Sequence, residues 1–116
     1  MYNDKLKIAF KNYSKTILGR TLKAEELDVF SNYMLGKDND TQKFESVCGV
    51  GFDGIKTNRT AFKYQYEFVY DCSPTEEQLD VFIAFRIGVL KNDKLLNEVC
   101  AKKPQFIQPN LWLKIM

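Results

Sequence analysis

From residue 4 to residue 18 the apolar positions recur at steps of three and four, so that Leu6, Phe10, Tyr13 and Ile17 share one face of a predicted helix. Lys7, Lys11 and Lys15 form a second stripe on that helix, at i, i+4 and i+8. Gly19 ends it. Thr21 or Lys23 opens a second helix in which Leu22, Leu27, Phe30 and Met34 face inward, Glu25 and Glu26 sit in the first turn, and Gly36 takes the usual left-handed terminating position.

The period then changes. Between residues 43 and 52, Phe44, Cys48, Val50 and Phe52 alternate with Lys43, Glu45, Gly49 and Gly51. After a polar loop from Asp53 to Arg59, residues 60 to 71 place Phe62, Tyr64, Tyr66, Phe68 and Tyr70 opposite Lys63, Gln65, Glu67 and Asp71. Period-two alternation of this kind predicts two strands paired as an antiparallel β-hairpin. The aromatic row is then expected to face the core, because helices packed on Lys63, Gln65 and Glu67 would strand charge in the interior. Any binding through the sheet would use its outer face, beside Gly49, Gly51, Lys63 and Gln65.

Ser73-Pro74-Thr75-Glu76 reads as a helix start, with Ser73 as cap, Pro74 in the first helical position and Glu76 completing a capping box. The helix runs to Leu90 and is apolar nearly all round, which marks the buried centre of a fold. A polar break at Lys91-Asn92-Asp93 precedes a shorter helix with Leu95, Leu96, Val99 and Cys100 inward, and Leu111 to Ile115 can form a last strand. The expected class is α+β: one domain over residues 1–116, with three to four helices on one face of a small antiparallel sheet containing the hairpin.

A weak internal echo cuts across this reading. Shifted by 52 residues, segment 25–48 matches segment 77–100 at eight of 24 ungapped positions, among them Leu27 with Leu79, Asp28 with Asp80, Phe30 with Phe82, Gly36 with Gly88 and Cys48 with Cys100. A true repeat would make the segment around Phe44 a helix with Phe44, Val47, Cys48 and Gly51 on one face. Gly49 and Gly51 each cost a helix about 1 kcal/mol, which favours the strand.

Composition narrows the chemistry more than the class. The chain of 116 residues contains no histidine, which removes histidine-based nucleophile pairs, general bases, metal ligands and pH switches. Cys48, Cys72 and Cys100 are odd in number and lack C-x-x-C spacing, as expected of small buried hydrophobes in a reducing cytoplasm. The N-terminus shows no secretory hydrophobic region, and no apolar run approaches the roughly 18 residues of a membrane span. Fourteen lysines against three arginines, with eight asparagines, suggest AT-rich coding of a bacterial or phage type.

Each candidate motif has a plainer structural reading. Gly49-Val50-Gly51-Phe52-Asp53-Gly54 matches G-x-G-x-x-G, but a strand and not a helix is expected after it, so the glycines read as conformational. Glu25 with Glu26 and Glu76 with Glu77 fit helix first turns better than acid–base pairs. Asp38-Asn39-Asp40 begins like a calcium loop, yet Lys43 occupies the position that needs glycine. No catalytic residue, cofactor site or metal site is expected.

Charge is the remaining signal. Residues 1–23 hold six cations and one anion, whereas residues 24–53 hold two cations and seven anions, so a net charge of +2 conceals a segregated chain. The expected function is a non-enzymatic cytoplasmic protein-interaction module, such as an adaptor, an inhibitor or a phage-type host modulator. It would meet an acidic protein surface through Lys7, Lys11, Lys15, Arg20, Lys56 and Arg59. One alternative is a nucleic-acid-binding regulator using the basic first helix; another is a small enzyme working without histidine. A homodimer through the C-terminal strand or the sheet edge would suit a chain of this size.

Overall fold

The computed structural model describes residues 2–49 and 57–100, and within them the chain is wholly helical. Six helices follow one another: α1 (Tyr2–Leu18), α2 (Ala24–Met34), α3 (Thr41–Cys48), α4 (Arg59–Tyr70), α5 (Glu76–Arg86) and α6 (Lys94–Val99). The expected α+β class is therefore corrected, since the described residues contain no strand and no hairpin. The sheet-edge route to a dimer falls with it. The strand expected at 111–115 lies outside the described residues.

Both strand expectations fail for identifiable reasons. In α4, the alternating row Phe62, Tyr64, Tyr66, Phe68, Tyr70 contains a helical subset at i, i+4 and i+8. The helix turns Phe62, Tyr66 and Tyr70 inward and leaves Tyr64 and Phe68 outside, at 65% and 82% exposure. The expectation that all five rings face the core is corrected accordingly. Local signals support the helix: the Asn58 side chain accepts the Ala61 N–H at 3.0 Å, and Asp71 ends the helix at φ +58°.

In α3, Phe44 and Val47 are buried and Asp40 caps the first turn by accepting the Lys43 N–H at 3.1 Å. The helix stops at Cys48, and Gly49 closes it at φ +96°. Gly49 is thus the terminator and does not enter the helix, so its share of the penalty that favoured a strand does not arise, while Gly51 lies outside the described residues. At α5 the cap is Thr75, not Ser73: Thr75 N–H donates to Gln78 Oε1 at 3.0 Å and Gln78 N–H to Thr75 Oγ1 at 3.1 Å.

The 52-residue spacing recurs in the helix ends. α2 and α5 have equal lengths and offset bounds, and α1 ends at Leu18 where α4 ends at Tyr70. In each half the first helix packs on the second and the second on the third. The terminations of α2 and α5 use corresponding bonds: Lys37 N–H to Asn32 O at 2.8 Å and Gly36 N–H to Tyr33 O at 3.0 Å in one, Val89 N–H to Ala84 O at 2.9 Å and Gly88 N–H to Phe85 O at 3.2 Å in the other.

One apolar core runs through both halves. α5 supplies its centre with six consecutive buried residues, Leu79 to Ala84. Phe30 meets Phe10 edge-on at 6.3 Å and stacks on Phe44 at 5.7 Å, while Phe82 meets Tyr66 edge-on at 5.4 Å.

The two halves are also tied by charge. Asp80, buried in the apolar run of α5, accepts from Arg59 Nη2 at 2.7 Å and from Lys37 Nζ at 2.8 Å. Arg59 Nη1 donates to the Leu35 carbonyl at 2.9 Å, and the buried Thr57 hydroxyl donates to the Met34 carbonyl at 2.6 Å. The end of α2, the start of α4 and the middle of α5 are thereby fixed to one another.

Candidate interaction surface

α1 carries the basic stripe on its solvent side. Lys7, Lys11 and Lys15 are exposed, and none of them forms an ion pair with another described residue. At 1.5 Å per residue the three ammonium groups project along about 12 Å of helix. Ile8 stands beside them at 58% exposure and shares a shallow hollow with Lys7, Lys11, Asp4 and Leu27. Ile17, expected to face inward, is instead 39% exposed, and Ser14 takes a fully buried place in the core with its hydroxyl donating to the Lys11 carbonyl at 3.0 Å.

On the other side of Ile8 runs a groove of about 370 Å³ between α1 and the segment joining α5 to α6. Ile8, Asn12 and Ile17 form one wall, and Leu90, Lys91 and Leu95 the other. Lys5 on α1 pairs with Glu98 on α6 at 3.1 Å and holds one end together. No part of this groove could be read from the sequence, because it is built by residues more than 70 positions apart whose proximity no periodicity reports.

The other expected contact residues are placed differently. Arg20 donates to the Val47 carbonyl and lies 3.6 Å from Glu26, which ties the end of α1 to α2 and α3. Arg59 belongs to the buried Asp80 network, also donating to Glu76 Oε1 at 2.9 Å, and its side chain is only 15% exposed. Lys56, with the loop from Asp53, lies outside the described residues. Arg86 sits with its guanidinium 5.8 Å from the centre of the Phe82 ring. All three arginines thus have intramolecular partners, and the structure brings Lys7, Lys11 and Lys15 together without Arg20 or Arg59.

The motifs resolve into local structure. Asp38 accepts the Asp40 N–H at 3.0 Å and pairs with Lys43 at 3.4 Å, so the calcium-like run is a capping turn. At the start of α2 the backbone N–H of Lys23 donates to Glu26 Oε1 at 2.9 Å and lowers that carboxyl from its ordinary value, assisted by the charge of Arg20. Gly49 is the α3 terminator, and the rest of its glycine motif lies outside the described residues. No group of three cysteine or carboxylate side chains suited to a metal occurs among the described residues.

A tyrosine–cysteine cluster lies under α4. The buried Tyr66 hydroxyl has no hydrogen-bond partner of ordinary geometry among the described residues, and the Cys100 and Cys72 thiols lie near it. Burial pushes the Cys100 thiol up to about 11 and the Tyr70 phenol to about 12, and it raises Tyr66 as well. Cys48, near Arg20 and Glu26, is likewise raised by burial to about 11.

These groups make the fold sensitive to alkali. A thiol at about 11 in the folded chain against an ordinary 9.0 contributes stability that is whole below pH 9 and is lost as pH rises through 11. Cys100 alone accounts for roughly 2 kcal/mol by that point, from 1.36 kcal/mol per unit. Urea midpoints should hold level to pH 9 and fall above it, and the Cys100→Ala variant should fall less steeply. An equal decline in both would exclude Cys100 as a source.

Comparison with family models, with curated proteins and with solved structures gives no match. No helix of the described residues is long and apolar enough to cross a membrane.

Proposed function

We propose that the protein is a non-enzymatic interaction module, of the adaptor or inhibitor type, that docks an acidic protein surface on the outer face of α1. The observation that carries this reading is the exposed row Lys7, Lys11, Lys15, which has no ion-pair partner among the described residues and borders the exposed side chain of Ile8. Clustered charge of one sign steers an oppositely charged partner and fixes its register, while an adjacent apolar side chain supplies surface to bury.

The arginines favour a protein partner over nucleic acid. Bidentate base-edge recognition favours the planar guanidinium, and Arg20, Arg59 and Arg86 are all engaged within the fold.

The test is recovery of partners from source-cell extract by the whole chain and by a Lys7→Gln, Lys11→Gln, Lys15→Gln variant. The reading expects a protein recovered by the first to be depleted at least tenfold with the second, and to elute at moderate salt. Recovery of the same proteins by both would contradict it, and recovery that disappears on nuclease treatment would favour the nucleic-acid alternative.

A further inference from the structure

Three observations converge on the groove between α1 and the α5–α6 segment. The first is its apolar lining. Ile8 and Ile17 are large aliphatic side chains left 58% and 39% exposed along one edge, with Leu90 and Leu95 across from them.

The second comes from the 52-residue correspondence. Leu90, half-buried at the groove, matches Asp38 of the first half, whereas Val89 and Leu95 are core residues at 3% and 7% exposure. The same helix-to-helix connection carries a charged residue at that position in the first half, so the connection itself does not require the leucine there.

The third is charge. The groove is lined by Lys5 and Lys91 and by no carboxylate, and Lys94 lies in the hollow that continues it. Glu98 in that hollow is paired with Lys5. On the far side of Ile8 stand Lys7 and Lys11, with Asp4 as the one carboxylate. An occupant would therefore meet apolar surface in the middle and lysines along both margins.

We propose that this groove takes an amphipathic helix of a partner protein, acidic on both flanks and carrying large aliphatic residues along one face. This rests on the reading of α1 as the docking face, and it names the class of segment that docks. The groove follows α1 from Lys5 to Ile17, about 18 Å, the length of a three-turn helix with anchors at i, i+4, i+7 and i+11. Residues 101–116 of the chain lack the acidic flanks such an occupant needs, since they contain three lysines and no acidic side chain. A contact of this size suits a transient complex.

Fluorescence anisotropy with the full chain tests the proposal, using a labelled 14-residue probe with leucine at those four spacings and glutamate on both flanks. Two control peptides separate the contributions: one replaces every leucine by serine, the other every glutamate by lysine. The probe should bind at least tenfold more tightly than either control, and an Ile8→Ser, Ile17→Ser variant should lose at least tenfold of that affinity while keeping its circular dichroism spectrum. If the serine control binds as well as the probe and the triple lysine variant loses both, the groove proposal fails and the basic-stripe reading stands. Absence of binding by every peptide, beside lysine-dependent recovery of a partner from extract, also overturns the groove alone. Self-association in sedimentation that Ile8→Ser abolishes would assign the groove to a second copy of the chain and overturn the proposal.

Discussion

Replacing Asp80 by alanine is expected to lower the unfolding free energy by about 3 kcal/mol, within the range for removing one partner of a buried ion pair. The Asp80 side chain is 9% exposed and neutralises two cations, Arg59 at 2.7 Å and Lys37 at 2.8 Å. Lys37 can turn to water. Arg59 is held by the Leu35 carbonyl and by Glu76 and would remain beside the apolar side chains of α5 with its closest counter-charge gone. The comparison is Lys43→Ala, which removes an exposed pair with Asp38 and should cost less than about 1 kcal/mol. Urea unfolding followed by far-UV circular dichroism measures both. Equal effects from the two substitutions would mean that Asp80 does not tie the halves together.

The second large effect compares two glycines that occupy corresponding positions. Gly36 and Gly88 end α2 and α5 at φ +77° and φ +93°, so alanine is strained at either by about 1–2 kcal/mol. Their surroundings differ. A Cβ at Gly36 would lie 3.0 Å from Arg59 Cβ and 3.0 Å from the Thr57 carbonyl oxygen, whereas at Gly88 nothing lies within 4 Å. The start of α4 sits against Gly36, and the backbone there cannot yield without disturbing the Thr57 and Arg59 bonds. Gly36→Ala should cost about 3 kcal/mol once overpacking is added to the strain, and Gly88→Ala about 1 kcal/mol. Equal losses would place α4 elsewhere.

Asp28 and Asp80 show what the sequence could not convey. They match in the 52-residue echo, yet Asp28 is exposed and Asp80 is buried against two cations. Only the packing of the halves on each other separates them. By contrast, α1, α2 and α6 are legible because their apolar residues fall at steps of three and four, and α5 from its continuous apolar run, although it ends at Arg86 and not at the expected Leu90. The four residues expected inward in the second helix, Leu22, Leu27, Phe30 and Met34, are all buried, with Leu22 lying just before α2.

The aromatic segment misleads for a geometric reason. A row of rings at every second position also supplies a ring at every fourth, and periodicity alone cannot choose between a strand and a helix. The caps could have chosen: Asn58 before Ala61 and Asp40 before Lys43 are helix-start signals at the right spacing. Of the candidate surface, the lysine row was legible from i, i+4 and i+8. The engagement of Arg20 and Arg59 within the fold was not, since their partners Val47 and Asp80 lie 27 and 21 residues away.

The functional reading places α1 on a scaffold in which 41–48 and 59–70 are helices, so the conformation of those two segments is its foundation. Backbone NMR of the full chain reads it directly. The account predicts downfield Cα shifts and Hα(i)–HN(i+3) contacts through residues 41–48 and 59–70, with the Tyr64 and Phe68 rings open to a soluble paramagnetic probe. Upfield Cα shifts with cross-strand contacts between the two segments, and protection of Tyr64 and Phe68, would contradict it.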